Sequence, residues 1–233
     1  MEYTERFLDS LWLENGLSDN SLSAYRSDLK QFSQWLSSKR SLELHQAQEF
    51  DILAYLSACL EKGIKSSSSS RLLSCLRRYY RYLVRENIVS GDPTLNIDNP
   101  KLPKLLPSTL TESEVVALLA VPDISDDIGL RDKAMLEVMY GSGLRVSELV
   151  SLRFDQLSVQ QGLIRLFGKG NKERLVPVGE YTLDWLDEYL AKARPSLVKG
   201  QPCEVIFPSS RAQQMTRQTF WYRIKKYAAE AGI

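Results

Sequence analysis

The sequence predicts a mainly α-helical chain in two domains, the second a mixed α/β domain with a small antiparallel sheet. Three observations predict this. Apolar residues recur at alternating spacings of three and four through much of the first 90 residues, the period of a half-buried helix. From Ser90 to Pro107 four prolines break that pattern and divide the chain. Beyond them, two short aliphatic runs, Leu163 to Phe167 and Glu173 to Val178, flank Gly168-Lys-Gly-Asn-Lys172, a turn composition that makes a hairpin.

In the first domain, residues 1–90, Leu22, Tyr25, Leu29, Phe32 and Leu36 form one stripe of an amphipathic helix that follows the cap-rich Ser18-Asp-Asn-Ser21. A second helix is expected over about 48–62, with Gly63 as its stop. The serines from Ser66 to Ser70 read as a polar lead-in to a third helix over about 70–86, not as a flexible linker. On that helix Arg71, Arg78, Arg81 and Arg85 gather on one side, and Leu72, Leu76, Tyr79 and Leu83 on the other. No acid stands among these arginines before Glu86, so an anionic counter-surface such as DNA phosphate suits them; a solvated face of long side chains is the plainer reading. Arg26 and Lys30 extend the same basic character. The linker, residues 91–108, either carries two domains to opposite sides of a duplex, with Lys101 and Lys104 along its backbone, or only spaces them.

The second domain, residues 109–233, opens on Thr111-Glu-Ser-Glu114, a capping box for a helix carrying Val115, Val116, Leu118 and Leu119. A helix over about 127–140 is then interrupted by Gly141 and Gly143, which permit a sharp turn before Val146, Leu149 and Val150 resume a buried face. After the hairpin a helix is expected over about 181–193, with Leu183, Leu186 and Leu190 inward and Pro195 ending it. Val205-Ile-Phe-Pro208 reads as extended. Thr216 caps a last helix that buries Phe220, Ile224, Ala228 and Ala231 and exposes Gln218, Tyr222, Lys225 and Lys226.

Composition allows two cores: the chain has 233 residues and is 43% hydrophobic. Thirty Lys and Arg against 29 Asp and Glu leave a net charge of +1, so affinity for nucleic acid depends on where the charges lie. Cys59, Cys75 and Cys203 lack metal-ligand spacing and read as the reduced thiols of a cytoplasmic protein. The start has no basic flank and apolar core, and no run reaches membrane-spanning length, which points away from secretion and membrane insertion.

Two cations stand out as candidate chemistry. Arg145 sits where a new helix opens, and a guanidinium holds two non-bridging oxygens of a phosphate at any working pH. Lys169 sits at a hairpin tip, from which an ammonium can reach a leaving oxygen and protonate it. Each alone has a plainer reading, an arginine beside a helix cap and a solvated turn lysine. Together they suit a phosphodiester whose charge grows during displacement. A Walker-type loop is excluded, because no Gly-Lys-Ser/Thr joins a strand to a helix here.

In their order along the chain, Leu144-Arg-Val-Ser-Glu-Leu149 and Gly168-Lys-Gly-Asn-Lys-Glu-Arg-Leu-Val-Pro177 resemble the tyrosine recombinase (phage integrase) family. Gln213-Gln-Met-Thr-Arg-Gln-Thr-Phe-Trp221 is similar to its XerD-like branch. The resemblance implies a helical SAM-like core-binding domain and a catalytic domain, incomplete at its C-terminus, clamped on a double-stranded recombination site. It implies attack by a tyrosine on the scissile phosphate, with a 3′-phosphotyrosyl intermediate and no metal or nucleotide cofactor. Arg145 would hold the non-bridging oxygens, Lys169 would protonate the 5′ oxygen, and Glu148 would support Arg145 through an i to i+3 contact. Lys172, Arg174, Arg217 and Gln218 would join the DNA contacts, Arg217 and Gln218 at base edges. The implied partners are a XerC-type recombinase in a four-protomer synapse and a septal DNA translocase as activator, in chromosome dimer resolution and segregation.

The family pattern continues with a His-x-x-Arg box, a His or Trp, and the nucleophilic tyrosine. This chain ends at Ala231-Gly-Ile233 before them, and its single histidine, His45, is followed by Gln46-Ala-Gln48. No nucleophile is therefore assigned among its 11 tyrosines, and these 233 residues by themselves are expected not to cleave DNA. Two alternatives stand beside a recombinase fragment: a non-cleaving DNA-binding module that occupies or bridges a recombination site, and a type IB topoisomerase relative, which the Xer-like details disfavour.

Overall fold

A computed structural model describes residues 2–100, 109–168 and 173–233. The chain divides into two compact units, Met1–Leu106 and Pro107–Ile233.

Four helices build the first unit: α1 (Glu2–Asn15), α2 (Asp19–Arg40), α3 (Glu49–Glu61) and α4 (Ser66–Arg85). The stripe on α2 buries Leu29, Phe32 and Leu36, and Phe32 meets Tyr55 of α3 with ring centroids 4.9 Å apart. Helix α1 was not expected, because its buried stripe is only Phe7, Leu8 and Leu11, too brief for a period to stand out. It packs on α4, with Phe7 edge-on to Tyr79 at 5.3 Å. Helix α4 starts at Ser66, so the serines are its first turn and not a lead-in. Ser69 and Leu72 are already buried there, and packing overrides the weak helix propensity of serine. Gly63 takes a positive φ of 71° just past the end of α3, as a stop residue does.

The first part of the expected linker belongs to this unit. Thr94 and Ile97 are buried, and Arg77 donates to the Ile97 carbonyl and to Asn99 Oδ1 (2.8 Å). Lys101 and Lys104 lie outside the described residues.

In the second unit Thr111 caps α5 (Glu112–Ala120): its hydroxyl accepts from the Glu114 N–H while Glu114 accepts the Thr111 N–H at 2.7 Å. Helix α6 (Asp127–Ser142) runs through the core, buried on nearly every side from Gly129 to Val138. It continues through Gly141, where a stop was expected. Only Gly143, at φ 61°, makes the turn. Gly141 is required for a different reason: a Cβ there would lie 2.5 Å from Oγ1 of Thr182, a buried residue of α8 (Glu180–Lys192).

Helix α7 (Val146–Val150) follows the turn and leads to an antiparallel sheet, β1 (Leu157–Ser158), β2 (Leu163–Phe167) and β3 (Glu173–Pro177), in that order. On β2 Ile164 and Leu166 face the core while Arg165 and Phe167 face out, the alternation a pleated strand imposes. The helix after the hairpin ends at Lys192, before Pro195. That proline occupies the first turn of a further short helix, α9 (Arg194–Val198), where a missing N–H costs nothing. Ile206 and Phe207 plug the core, held by Arg194, which donates to the carbonyls of Cys203, Val205 and Ile206. Thr216 caps α10 (Arg217–Glu230), accepting from the Thr219 N–H at 3.1 Å.

Gly141→Ala is expected to lower stability by about 1–2 kcal/mol, because the added methyl must displace α8. Adding Thr182→Ala should restore part of that loss; thermal melting of the two variants decides.

Candidate active site and nucleic-acid interface

The second unit builds its cationic site on the turn between α6 and α7. The Gly143 N–H bonds the Met139 carbonyl at 3.0 Å, and Leu144, 4% exposed, pins the turn to the core. Arg145 is then the N-cap residue of α7, with extended backbone and a side chain 72% exposed. Glu148, one turn on, is 14% exposed and gathers three donors. Its Oε1 accepts from Arg145 Nη1 at 3.0 Å, and its Oε2 accepts the Arg145 backbone N–H at 2.8 Å and Arg174 Nη2 at 2.8 Å.

Arg145 and Glu148 thus make a side-chain ion pair at i to i+3, and the contact includes a backbone cap that sequence spacing did not foresee. The Arg145 N–H that opens this short helix is taken by Glu148. Arg174, expected among DNA contacts, stands on β3 opposite Leu166 and directs one guanidinium edge at Glu148, 26 positions away in sequence. Burial pushes the Glu148 carboxyl up, but hydrogen bonds from Arg174 and from the Arg145 backbone and side chain outweigh it and leave it below its ordinary value. Lys169 and Lys172 lie outside the described residues; β2 and β3 pair Phe167 with Glu173.

Helix α10 meets α7. Ser147 and Val150 of α7, with Gln214, Met215, Thr216 and Arg217, line a cleft of about 360 Å³. Arg217 thus shares a cleft with a residue two positions beyond Arg145, and Gln218 is exposed beside it. Farther along α10, Tyr222, Lys225 and Lys226 are exposed as expected, and Lys225 lies over the Trp221 ring at 4.4 Å.

A buried network under α10 was missed. Asp132, 0% exposed, accepts from Arg131 (Nη2 2.7 Å), from Arg223 Nε and from the Tyr227 hydroxyl (2.8 Å). Burial and the adjacent Asp132 carboxylate raise the Tyr227 phenol well above its ordinary range, so this tyrosine is held protonated and inward. An Arg-Asp pair inside an apolar helix gives no periodic signal, because its partners come from an element some 90 positions away.

In the first unit the four arginines of α4 are not equivalent. The absence of nearby acids in sequence misled, since acids arrive from other helices. Arg71 donates to Asp28 of α2 at 2.8 Å, and Arg85 grips Glu14 of α1 at 2.8 and 2.9 Å and its neighbour Glu86 at 3.0 Å. Asp28 is buried and its second oxygen has no partner among the described residues, so withdrawing Arg71 would strand a buried carboxylate. Arg26 is likewise bound to Glu5 at 2.7 Å. Arg78 and Arg81 are exposed and make no ion pair among the described residues; they share a cleft of about 280 Å³ with Phe7, Glu14 and Tyr82.

A model of the phage integrase family matches residues 108–233, and one of the phage integrase N-terminal SAM-like domain matches residues 4–87. The chain belongs to the phage integrase family. Tyrosine recombinase XerD of Pseudomonas aeruginosa is 53% identical over 229 residues, 98% of this chain and 76% of its own length. The XerD of Proteus mirabilis is also 53% identical, over 98% of this chain and 73% of its own length. Among solved structures, a lambda integrase dimer bound to a COC′ core site superposes with a TM-score of 0.69 at 19% identity, covering 100% of this chain and 81% of that one. XerH bound to difH substrate before cleavage gives 0.70 at 18% identity, covering 98% and 68%. The helical SAM-like first domain and the α/β second domain expected from the sequence are thus those of this family's fold.

Glu148 should titrate below an ordinary glutamate, and Arg174→Gln should bring its midpoint up. Because the folded-state value lies below the unfolded one, the stability this carboxylate contributes is present above about pH 4.5 and is lost as pH falls through the depressed value. Carboxyl carbon chemical shifts followed against pH in the two proteins measure both.

Proposed function

We propose that the chain is the DNA-gripping and phosphate-holding part of a site-specific tyrosine recombinase that acts in chromosome dimer resolution and segregation. The observation that carries this reading is the Arg145–Glu148–Arg174 cluster, with Arg145 left largely exposed, in a chain 53% identical to XerD recombinases. Attack of a tyrosine on the scissile phosphorus adds charge to the non-bridging oxygens, which Arg145 meets through two parallel N–H donors. As the bond to the 5′ oxygen breaks, Lys169 gives that oxygen its proton, and a 3′-phosphotyrosyl link forms. Charge is met by side chains throughout, so the reaction requires no cofactor.

The first unit grips the duplex. Arg78 and Arg81 are the phosphate contacts, because Arg71 and Arg85 already neutralise Asp28 and Glu14. Arg217 and Gln218 at the start of α10 face base edges, and Lys172 follows the backbone. The first domain is taken as residues 1–90 with the start of the 91–108 linker packed on it, and the catalytic domain as 109–233. The partners are a XerC-type recombinase in a four-protomer synapse and a septal DNA translocase, and the setting is the cytoplasm. Unpaired Cys59, Cys75 and Cys203 support that setting. No helix among the described residues is long and apolar enough to cross a membrane.

These 233 residues contain no His-x-x-Arg box, and on this reading they bind the site without cutting it. Changing Arg78 and Arg81 to alanine should weaken binding to all duplexes alike and flatten the log–log salt dependence by roughly 2 units. An unchanged slope returns this face to ordinary solvated surface.

The catalytic roles are separated in a chimera that joins the remainder of the Pseudomonas aeruginosa relative after Ile233. On a suicide substrate the chimera should form a covalent complex and the 233-residue chain none. Arg145→Lys should slow single-turnover cleavage by on the order of 10²-fold, with or without sulfur at the bridging 5′ position. Lys169→Ala should lose rate only on the oxygen substrate, since a thiolate leaves without a proton. Failure of the lysine variant to recover on the sulfur substrate removes Lys169 from the general-acid role.

A further inference from the structure

We propose that Arg174 is a positioning residue: by taking up the charge of Glu148 it leaves Arg145 cationic toward a DNA phosphate, and it ties strand β3 to the arginine that holds that phosphate. The inference rests on the reading that Arg145 holds a phosphate, and it reassigns Arg174 from a direct DNA contact to one that acts through Glu148.

Glu148 is 14% exposed, so its charge is largely removed from water and must be met by cations and N–H groups. If Arg145 were its only cation, the two would form a neutral pair, and an arriving phosphate would compete with the carboxylate for the same guanidinium. Arg174 changes that balance. With it the cluster holds two cations and one anion, and the surplus charge rests on the more exposed arginine, 72% against 36% for Arg174.

The sharing is specific by atom. Arg174 Nη2 and the Arg145 backbone N–H both bind Oε2, while Oε1 alone meets the Arg145 side chain. Arg174 therefore draws on the oxygen that caps the helix, and the single bond from Nη1 leaves the rest of the Arg145 guanidinium for a ligand.

Mechanically, the ion pair joins a firm element to a weak one. Helix α7 has five residues, too few to hold its own first turn by helical hydrogen bonding. Arg174 is fixed by the β2–β3 ladder, where its partner Leu166 is 2% exposed. One bridge thus refers Arg145 to the frame of the sheet.

The test is a double-mutant cycle on the 233-residue chain, read as affinity for a duplex carrying the recombination site of the Pseudomonas aeruginosa relative. Arg174→Gln should weaken binding at least about fivefold in the native background and less than about twofold when Glu148→Gln is already present, because its effect passes through that carboxylate. Arg174→Lys, which keeps the charge, should stay within about threefold of the native chain. Equal losses from Arg174→Gln in both backgrounds would mean a direct phosphate contact and overturn the proposal, as would no loss in either. Should Arg174→Gln fail to fold by thermal melting, the lysine variant decides: a loss above about fivefold at unchanged melting temperature overturns it. Arg145→Ala separates the two levels. If that change is silent, the phosphate-holding reading falls and this proposal with it; if it weakens binding while the Arg174 pattern is absent, only the proposal falls.

Discussion

A single carboxylate organises the cationic site of the second unit. Glu148 caps the helix that begins at Arg145, orients the Arg145 guanidinium and holds Arg174 of the hairpin, so three segments share one anion. Removing any one donor would leave the other two to satisfy a carboxylate that water scarcely reaches, the condition under which a buried charge becomes costly. The arrangement also explains how an exposed arginine keeps a defined direction. Solvent alone would let so long a side chain sample many rotamers.

The same principle, applied to the first unit, sorts its arginines. A helix with four arginines on one side looks uniformly basic, yet Asp28 from α2 and Glu14 from α1 neutralise two of them. The pairs differ in weight. Arg85 and Glu14 are both about half exposed, and such a pair contributes little to stability. Asp28 is nearly enclosed, and its link to Arg71 is what makes that burial tolerable. The unpaired basic surface of this helix is smaller than the count of arginines implies, in keeping with a chain whose overall charge is only +1.

Under α10, Asp132 plays for the fold the role that Glu148 plays for the site. It joins the middle of α6 to Arg223 and Tyr227, and so fixes the helix whose first turn brings Arg217 to the cleft beside α7. The buried face expected from periodicity, Phe220, Ile224 and Ala228, is present, but apolar contacts are non-directional and leave the roll of a helix loosely set. A hydrogen-bonded charge network removes that freedom.

Much of the fold was legible in sequence because its signals are local. Period, capping and turn chemistry act over a few residues, and they gave the stripe on α2, the capping box at Thr111, the β2–β3 hairpin and the Arg145 turn. Reading failed where a local rule has two outcomes. A glycine in a helix is either a stop or a close approach, and only the neighbouring Thr182 shows that Gly141 is the second. A proline after a helix either ends it or starts the next, and Pro195 starts α9. Local signals were enough for the helical class, for most of the helices and the β2–β3 pair in their order, and for the motif residues Arg145, Glu148 and Arg174. Tertiary structure alone decided which charges meet: Glu148 with Arg174, Asp28 with Arg71, Asp132 with Arg223. Coulomb attraction and desolvation depend on distance in space and on access to water, and neither is encoded in the spacing of residues along a chain.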